Sequence, residues 1–169
     1  MIYIQNMSNT GRAIKVINRQ LEHFRNSDMI ERITIVSNDS NIFENNFEMI
    51  ISADSLWKGY IIRGTITFPQ NYPFIPPTIK IISDIFHPNV YENGKLCLSI
   101  LNTQVDETGY IKEEELWSPS LTIASIFTIL EHLIAEPNIE SPANLDACIL
   151  YRNDKERLAE ILNQKLTKQ

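Results

Sequence analysis

The sequence predicts an α+β fold: one helix, a four-stranded antiparallel meander, and then a series of helices. Three observations predict it. Residues Arg12–Arg25 place Ile14, Ile17, Leu21 and Phe24 at spacings of three and four, the period of an amphipathic helix. Short apolar runs with turn-forming connections then follow one another as far as Ile82. Helical periodicity returns after Trp117 and holds nearly to the end of the chain.

Asn9 or Thr10 suits the cap of the first helix, because both side chains can accept from its unpaired N–H groups. Strands are predicted at Glu31–Val36, Phe47–Ser52, Tyr60–Phe68 and Thr78–Ile82. Asn38-Asp39-Ser40-Asn41 and Ala53-Asp54-Ser55 mark turns, and connections this short make neighbours antiparallel. Ser120 suits the cap of a second helix running to about Ala135 that is apolar on most sides and therefore predicted to lie in the core. Pro142 suits the first turn of a third helix ending near Tyr151, with Ala143, Ala147 and Cys148 as packing residues. Leu158, Ile161, Leu162 and Leu166 form the stripe of a last helix over Lys155–Lys165. No repeat or internal boundary appears, so residues 1–169 read as one domain with a core of about 10–167.

Composition excludes several functions. With 43% hydrophobic and 21% charged residues the chain is globular, and a net charge of −6 argues against nucleic-acid binding. Two distant cysteines make neither a disulfide framework nor a zinc-ligand spacing, so no metal or cofactor is expected. That usage suits a reducing compartment, cytoplasmic or nuclear. Met1-Ile2-Tyr3-Ile4 lacks the basic n-region and long apolar core of a signal peptide. The apolar tract Leu121–Ala135 is broken by Glu131 and His132 and is too short for a membrane span.

The chemistry concentrates at Phe86–Leu98. Cys97 follows an Asn-Gly pair and is flanked by Leu96 and Leu98, with His87-Pro88-Asn89 upstream. Proline fixes its own backbone and biases its predecessor toward extended geometry, and Asn-Gly supplies positive-φ positions for a tight reversal. The segment reads as a rigid, strandless loop that sets Asn89 near Cys97. A thiol beside an amide donor suits covalent transfer of an acyl group. The alternative for Cys97 is an inert buried thiol. For Asn89 it is an amide that braces the loop.

His-Pro-Asn followed by Asn-Gly-x-Leu-Cys-Leu resembles the active-site block of the ubiquitin-conjugating enzymes. The resemblance extends to Phe68–Pro77, Trp117-Ser118-Pro119 and Glu136–Asn144, in family order over about Arg12–Lys165. It implies the UBC fold and a cycle with Cys97 as nucleophile. An activating enzyme passes ubiquitin to Cys97 as a thioester, and a lysine on a substrate or growing chain attacks it, usually with a ligase. It implies Asn89 as oxyanion donor and His87 as a structural group. Lys15 and Arg19 match positions that meet the activating enzyme. Phe74, Pro119 and Ser120 match the surface that binds RING-type ligases.

Residues Asn102–Leu116, which include Asp106, Glu107 and Glu113–Glu115, resemble the acidic insert of the long-loop subgroup that builds polyubiquitin chains. The bland alternative is a solvated loop. Short-loop members often carry an aspartate where this chain has Ser141, with Glu140 beside it, so the insert is expected to supply the carboxylate that orients or deprotonates the incoming lysine. The front half departs from the pattern. Asn45 stands where most members have tryptophan, and Ile51-Ser52 where most have Gly-Pro. Conjugating enzymes for the neddylation modifier also lack that pair, which leaves a ubiquitin-like modifier as an alternative. A non-catalytic scaffold would be expected to lack Cys97. A papain-like protease would need a histidine motif that His23 and His132 do not provide.

Overall fold

The computed structural model describes residues 2–38, 40–104 and 116–169, the first seven of these through their backbone alone. Elements run in the order α1 (Ile2–Arg25), β1 (Ile33–Ser37), β2 (Glu44–Ile50), β3 (Ile61–Thr67), β4 (Thr78–Ile81), α2 (Ile123–Ala135), α3 (Leu145–Asn153) and α4 (Lys155–Lys165). Short 3-10 turns occupy Asp28–Glu31 and Ser99–Leu101. The four strands form one antiparallel sheet in chain order, the predicted meander.

Register follows the period-two pattern. Ile33 faces Met49, which faces Ile62; Ile35, Phe47, Gly64 and Ile81 form the next row, and Asn45, Ile66 and Ile79 a third. These rows point inward, where α1 and α2 cover the sheet. Phe127 of α2 joins the layers, with its ring 5.0 Å from Phe47 and 5.7 Å from Phe24 of α1. Gly64 makes that packing possible, since a Cβ there would stand 2.5 Å from both the Phe47 ring and the Lys80 carbonyl oxygen. β2 starts at Glu44 rather than Phe47 because Asn45 and Asn46 pair with Ile66 and Thr65 in spite of their low strand propensity.

The helix starts need three corrections. The first helix begins at Ile2, and Asn9 and Thr10 lie inside it. Instead of capping, Asn9 Nδ2 reaches Asn71 at 3.5 Å and Thr10 Oγ1 reaches Gln70 at 3.4 Å. The cap of α2 is Thr122, not Ser120: Thr122 accepts from the Ser125 N–H and Ser125 Oγ accepts from the Thr122 N–H, a reciprocal capping box. Ser120 instead donates its own N–H to Ser118. The third helix starts at Leu145, capped by Asn144, which accepts from Ala147 N–H at 3.0 Å; Pro142 lies before it. Helix α2 is less uniformly buried than predicted, with Thr128 and His132 on an exposed flank.

Ser52, two residues past the end of β2, is tied to α2 by a buried carboxylate. Glu131 accepts from Ser52 N–H at 3.0 Å and Ser52 Oγ–H at 2.6 Å, and pairs with Arg32 at 3.2 Å. Burial opposes ionisation of Glu131, but the Ser52 bonds and Arg32 more than offset it and hold its pKa below the usual carboxylate value.

Candidate active site

The site is built on a histidine that takes no charge. His87 is fully buried, its ring 4.7 Å from that of Trp57. Its Nδ1 accepts the Asn89 N–H at 2.9 Å, which leaves Nε2 to donate to the Ile134 carbonyl at 3.2 Å. Burial lowers its pKa to about 3, so the ring is neutral near pH 7 and acts as a spacer joining the loop to the end of α2.

Asn89 extends the brace outward. It is 1% exposed; its Nδ2 donates to the Asn138 carbonyl at 2.7 Å and its Oδ1 accepts the Asn138 N–H at 2.8 Å. Asn138 in turn accepts the Glu140 N–H, and the N–H groups of Ala143 and Asn144 donate to the Pro88 carbonyl at 2.7 and 2.9 Å. The 138–144 segment is thereby held against the thiol loop, and Glu140 and Ser141 are exposed beside it. These bonds tie the Asn89 carboxamide to the Asn138 backbone, and it retains one Nδ2 hydrogen beyond the bond to Asn138.

The reversal before the thiol is a turn in which Gly94 N–H donates to the Tyr91 carbonyl at 2.8 Å and Tyr91 N–H to the Lys95 carbonyl at 2.9 Å. Only Gly94 of the Asn-Gly pair takes positive φ, at +82°, and a Cβ there would lie 2.0 Å from the Ile81 carbonyl oxygen. From this turn the chain returns beside Asn89: Val90 bridges Leu96, and Cys97 N–H donates to the Asn89 carbonyl at 3.0 Å. Leu96 and Leu98 are buried on either side and Cys97 between them is exposed. The arrangement presents a thiol on a backbone fixed at both flanks, open to a macromolecular acyl donor.

Trp117 joins this loop to the neighbouring surface. Its N–H donates to the Asn102 carbonyl at 2.9 Å, and its Nε1–H to the Pro73 carbonyl at 2.7 Å. Phe74, next to Pro73, is 59% exposed, and Pro119 and Ser120, just past Trp117, are exposed as well. Lys15 and Arg19 are exposed on α1, one turn apart. Sequence reasoning missed Gln20, whose Oε1 accepts from Tyr72 Oη–H at 2.6 Å and Ile123 N–H at 3.2 Å and so fixes α1 against the loop at Tyr72 and the first residue of α2. It also missed the pairing of Asn138 with Asn89, for which the Glu-Pro-Asn block was the only signal. Asp106, Glu107 and Glu113–Glu115 lie outside the described residues. Among the described residues no cluster of metal-ligating side chains occurs, and no helix is long and apolar enough to cross a membrane.

Comparison with known proteins bears on this geometry. Residues 16–166 match the ubiquitin-conjugating enzyme family. The chain is 37% identical over 131 residues to ubiquitin-conjugating enzyme E2 7 of Arabidopsis thaliana, covering 77% of this chain and 79% of that protein. It is 34% identical over 132 residues to ubiquitin-conjugating enzyme E2 G2 of Homo sapiens, covering 78% and 80%. Against ubiquitin-conjugating enzyme E2-34 kDa of Saccharomyces cerevisiae it is 39% identical over 123 residues, 72% of this chain and 42% of the relative, so the match spans under half of that protein's length. With helix, four-stranded meander and C-terminal helices in order and a family match over residues 16–166, this chain belongs to the ubiquitin-conjugating enzyme family.

Proposed function

We propose that the chain accepts ubiquitin from an activating enzyme as a thioester on Cys97 and transfers it to a lysine of a substrate or growing chain. The observation that carries the reading is the exposed thiol between two buried leucines on a loop braced by Asn89 and His87. In the first step the Cys97 thiolate attacks the donor thioester carbonyl and the donor thiol leaves. In the second a lysine amine attacks the Cys97 thioester and the thiolate is released. The remaining Nδ2 hydrogen of Asn89 is the candidate donor to the developing oxyanion, a contact typically contributing about 10²–10³ in rate. His87 takes no part as a base, because burial keeps it neutral and both ring nitrogens are engaged.

Within this reading the acidic insert at 102–116 marks the chain-building subgroup, and Asp106 and Glu107 are its carboxylates next in sequence to the thiol. Ser141, where short-loop members carry aspartate, supports that assignment. Lys15 and Arg19 form the contact for the activating enzyme, and Phe74, Pro119 and Ser120 the contact for a RING-type ligase. A cytoplasmic or nuclear location fits the unpaired thiols. Incubation with ubiquitin, its activating enzyme and ATP is expected to give a thiol-sensitive adduct on wild type and none on Cys97→Ala; no adduct on folded wild type sinks the reading. Ile51-Ser52 in place of Gly-Pro supports a second reading in which a neddylation-type modifier takes ubiquitin's place, and the same assay with that modifier separates the two. Neutralising Asp106, Glu107 and Glu113–Glu115 should slow lysine discharge and leave loading intact; unchanged discharge removes the insert from the mechanism.

A further inference from the structure

We propose that Lys95 is an intramolecular acceptor for the acyl group carried on Cys97, so that a loaded molecule left without substrate modifies itself. The proposal rests on the thioester reading of Cys97. Its basis is the geometry of the segment that returns from the Gly94 turn to the thiol. Exposure alternates along it: Gly94 buried, Lys95 exposed, Leu96 buried, Cys97 exposed, Leu98 buried. In extended chain such alternation puts residues two apart on one side, separated by roughly 6.6 Å along the backbone. The four-carbon stem of lysine covers a comparable distance.

The backbone holds both residues in place. Lys95 bridges Lys80 of β4, Leu96 bridges Val90, and Cys97 N–H is bound to the Asn89 carbonyl. Four of the other described lysines are occupied: Lys165 with Asp84 at 2.6 Å, Lys58 with Asp54 at 3.2 Å, and Lys155 and Lys168 over the rings of Tyr151 and Tyr60. Among the described residues no carboxylate pairs with the Lys95 amine. Its cross-bridge neighbour is Lys80, and like charges placed directly opposite repel, which favours Lys95 turning away from the sheet.

The step balances without a co-reactant. The neutral Lys95 amine attacks the thioester carbonyl carbon, the C–N bond forms, the C–S bond breaks, and Cys97 leaves as thiolate while water takes the amine proton. The product is an isopeptide that sets the bulk of the modifier two residues from the thiol and obstructs reloading. The thioester lifetime is thereby limited by the chain itself.

The test loads wild type and Lys95→Arg with ubiquitin, removes ATP, and follows conversion of the thiol-labile adduct to a thiol-resistant one without free lysine or ligase. The expected result is first-order conversion at a rate independent of protein concentration, with the ubiquitin remnant mapped to Lys95 by peptide mass spectrometry. Lys95→Arg should load normally and convert at least about tenfold more slowly, since proximity dominates such transfers. Lys80→Arg should convert as wild type does. A thioester that forms normally but marks other lysines, or converts equally fast in Lys95→Arg, overturns the proposal and leaves Cys97 loading intact. Conversion whose rate rises with protein concentration overturns it as well. Failure to load at all overturns both.

Discussion

The two cysteines of this chain are one residue type in two environments. Cys97 is exposed at the outer edge of a hydrogen-bonded loop, and Cys148 is 2% exposed on α3, its sulfur 3.9 Å from the Ile139 carbonyl. Neither belongs to a disulfide; Cys148 lies against Ile139 of the 138–144 segment, which Asn89 and Pro88 hold to the loop that carries Cys97. The difference is made by neighbours. Leu96 and Leu98 bury themselves and turn Cys97 outward, whereas Cys148 follows buried Ala147 on the inner side of an amphipathic helix. A thiol becomes a reagent here through backbone placement, and the same group one layer deeper is packing.

The largest effect separating the two is chemical. Iodoacetamide should alkylate Cys97 at least about a hundredfold faster than Cys148 in the folded protein, because Cys148 must await local opening; peptide mass spectrometry reads both sites, and equal rates break the comparison. Next is the brace behind Cys97. Asn89→Ala leaves the Asn138 N–H and carbonyl without their partners, so a loss of about 2–6 kcal/mol in denaturant unfolding is expected at roughly 1–3 kcal/mol per orphaned group.

His87 sharpens the contrast through pH. Its folded-state pKa, about 3, lies below the ordinary 6.5, so between those values the unfolded chain binds a proton that the native chain refuses. Its contribution is complete above 6.5 and declines as pH falls, by about 1.4 kcal/mol per unit. Stability should drop by about 2 kcal/mol between pH 6.5 and 5. Glu131, whose pKa is depressed from 4.5, gives up its contribution only at lower pH, so the two are separable; a flat profile above pH 5 contradicts the buried neutral ring. The smallest effect belongs to Cys148→Ala, expected to cost about 1 kcal/mol of stability with loading unchanged, the mark of a packing thiol.

The sequence showed much of this arrangement where the cause is local. Apolar spacing on α1 and α4 and alternation in β1 and β3 depend on neighbours a few positions away, and the thiol loop announces itself through Pro88, Gly94 and the two leucines. What stayed hidden depends on partners far along the chain. Asn89 bonds the backbone of Asn138, which any residue but proline could supply on the donor side, so side-chain pattern carries little trace of it. Gln20 looked like one more polar position on α1, although it ties Tyr72 to Ile123. Glu131 read as an interruption of an apolar tract; it is the partner of Ser52 and Arg32. Ser120 and Thr122 are both good caps, and only the reciprocal bond with Ser125 decides between them.

The central claim is that Cys97, and not Cys148, carries the acyl group. Replacing sulfur by oxygen at that one position tests it most directly. Cys97→Ser charged with ubiquitin, activating enzyme and ATP should give an oxyester that survives thiol reductant and is cleaved by mild alkali, whereas the wild-type adduct is lost to thiol. An adduct on Cys97→Ser that remains thiol-labile would place the acyl group on another cysteine and contradict the account.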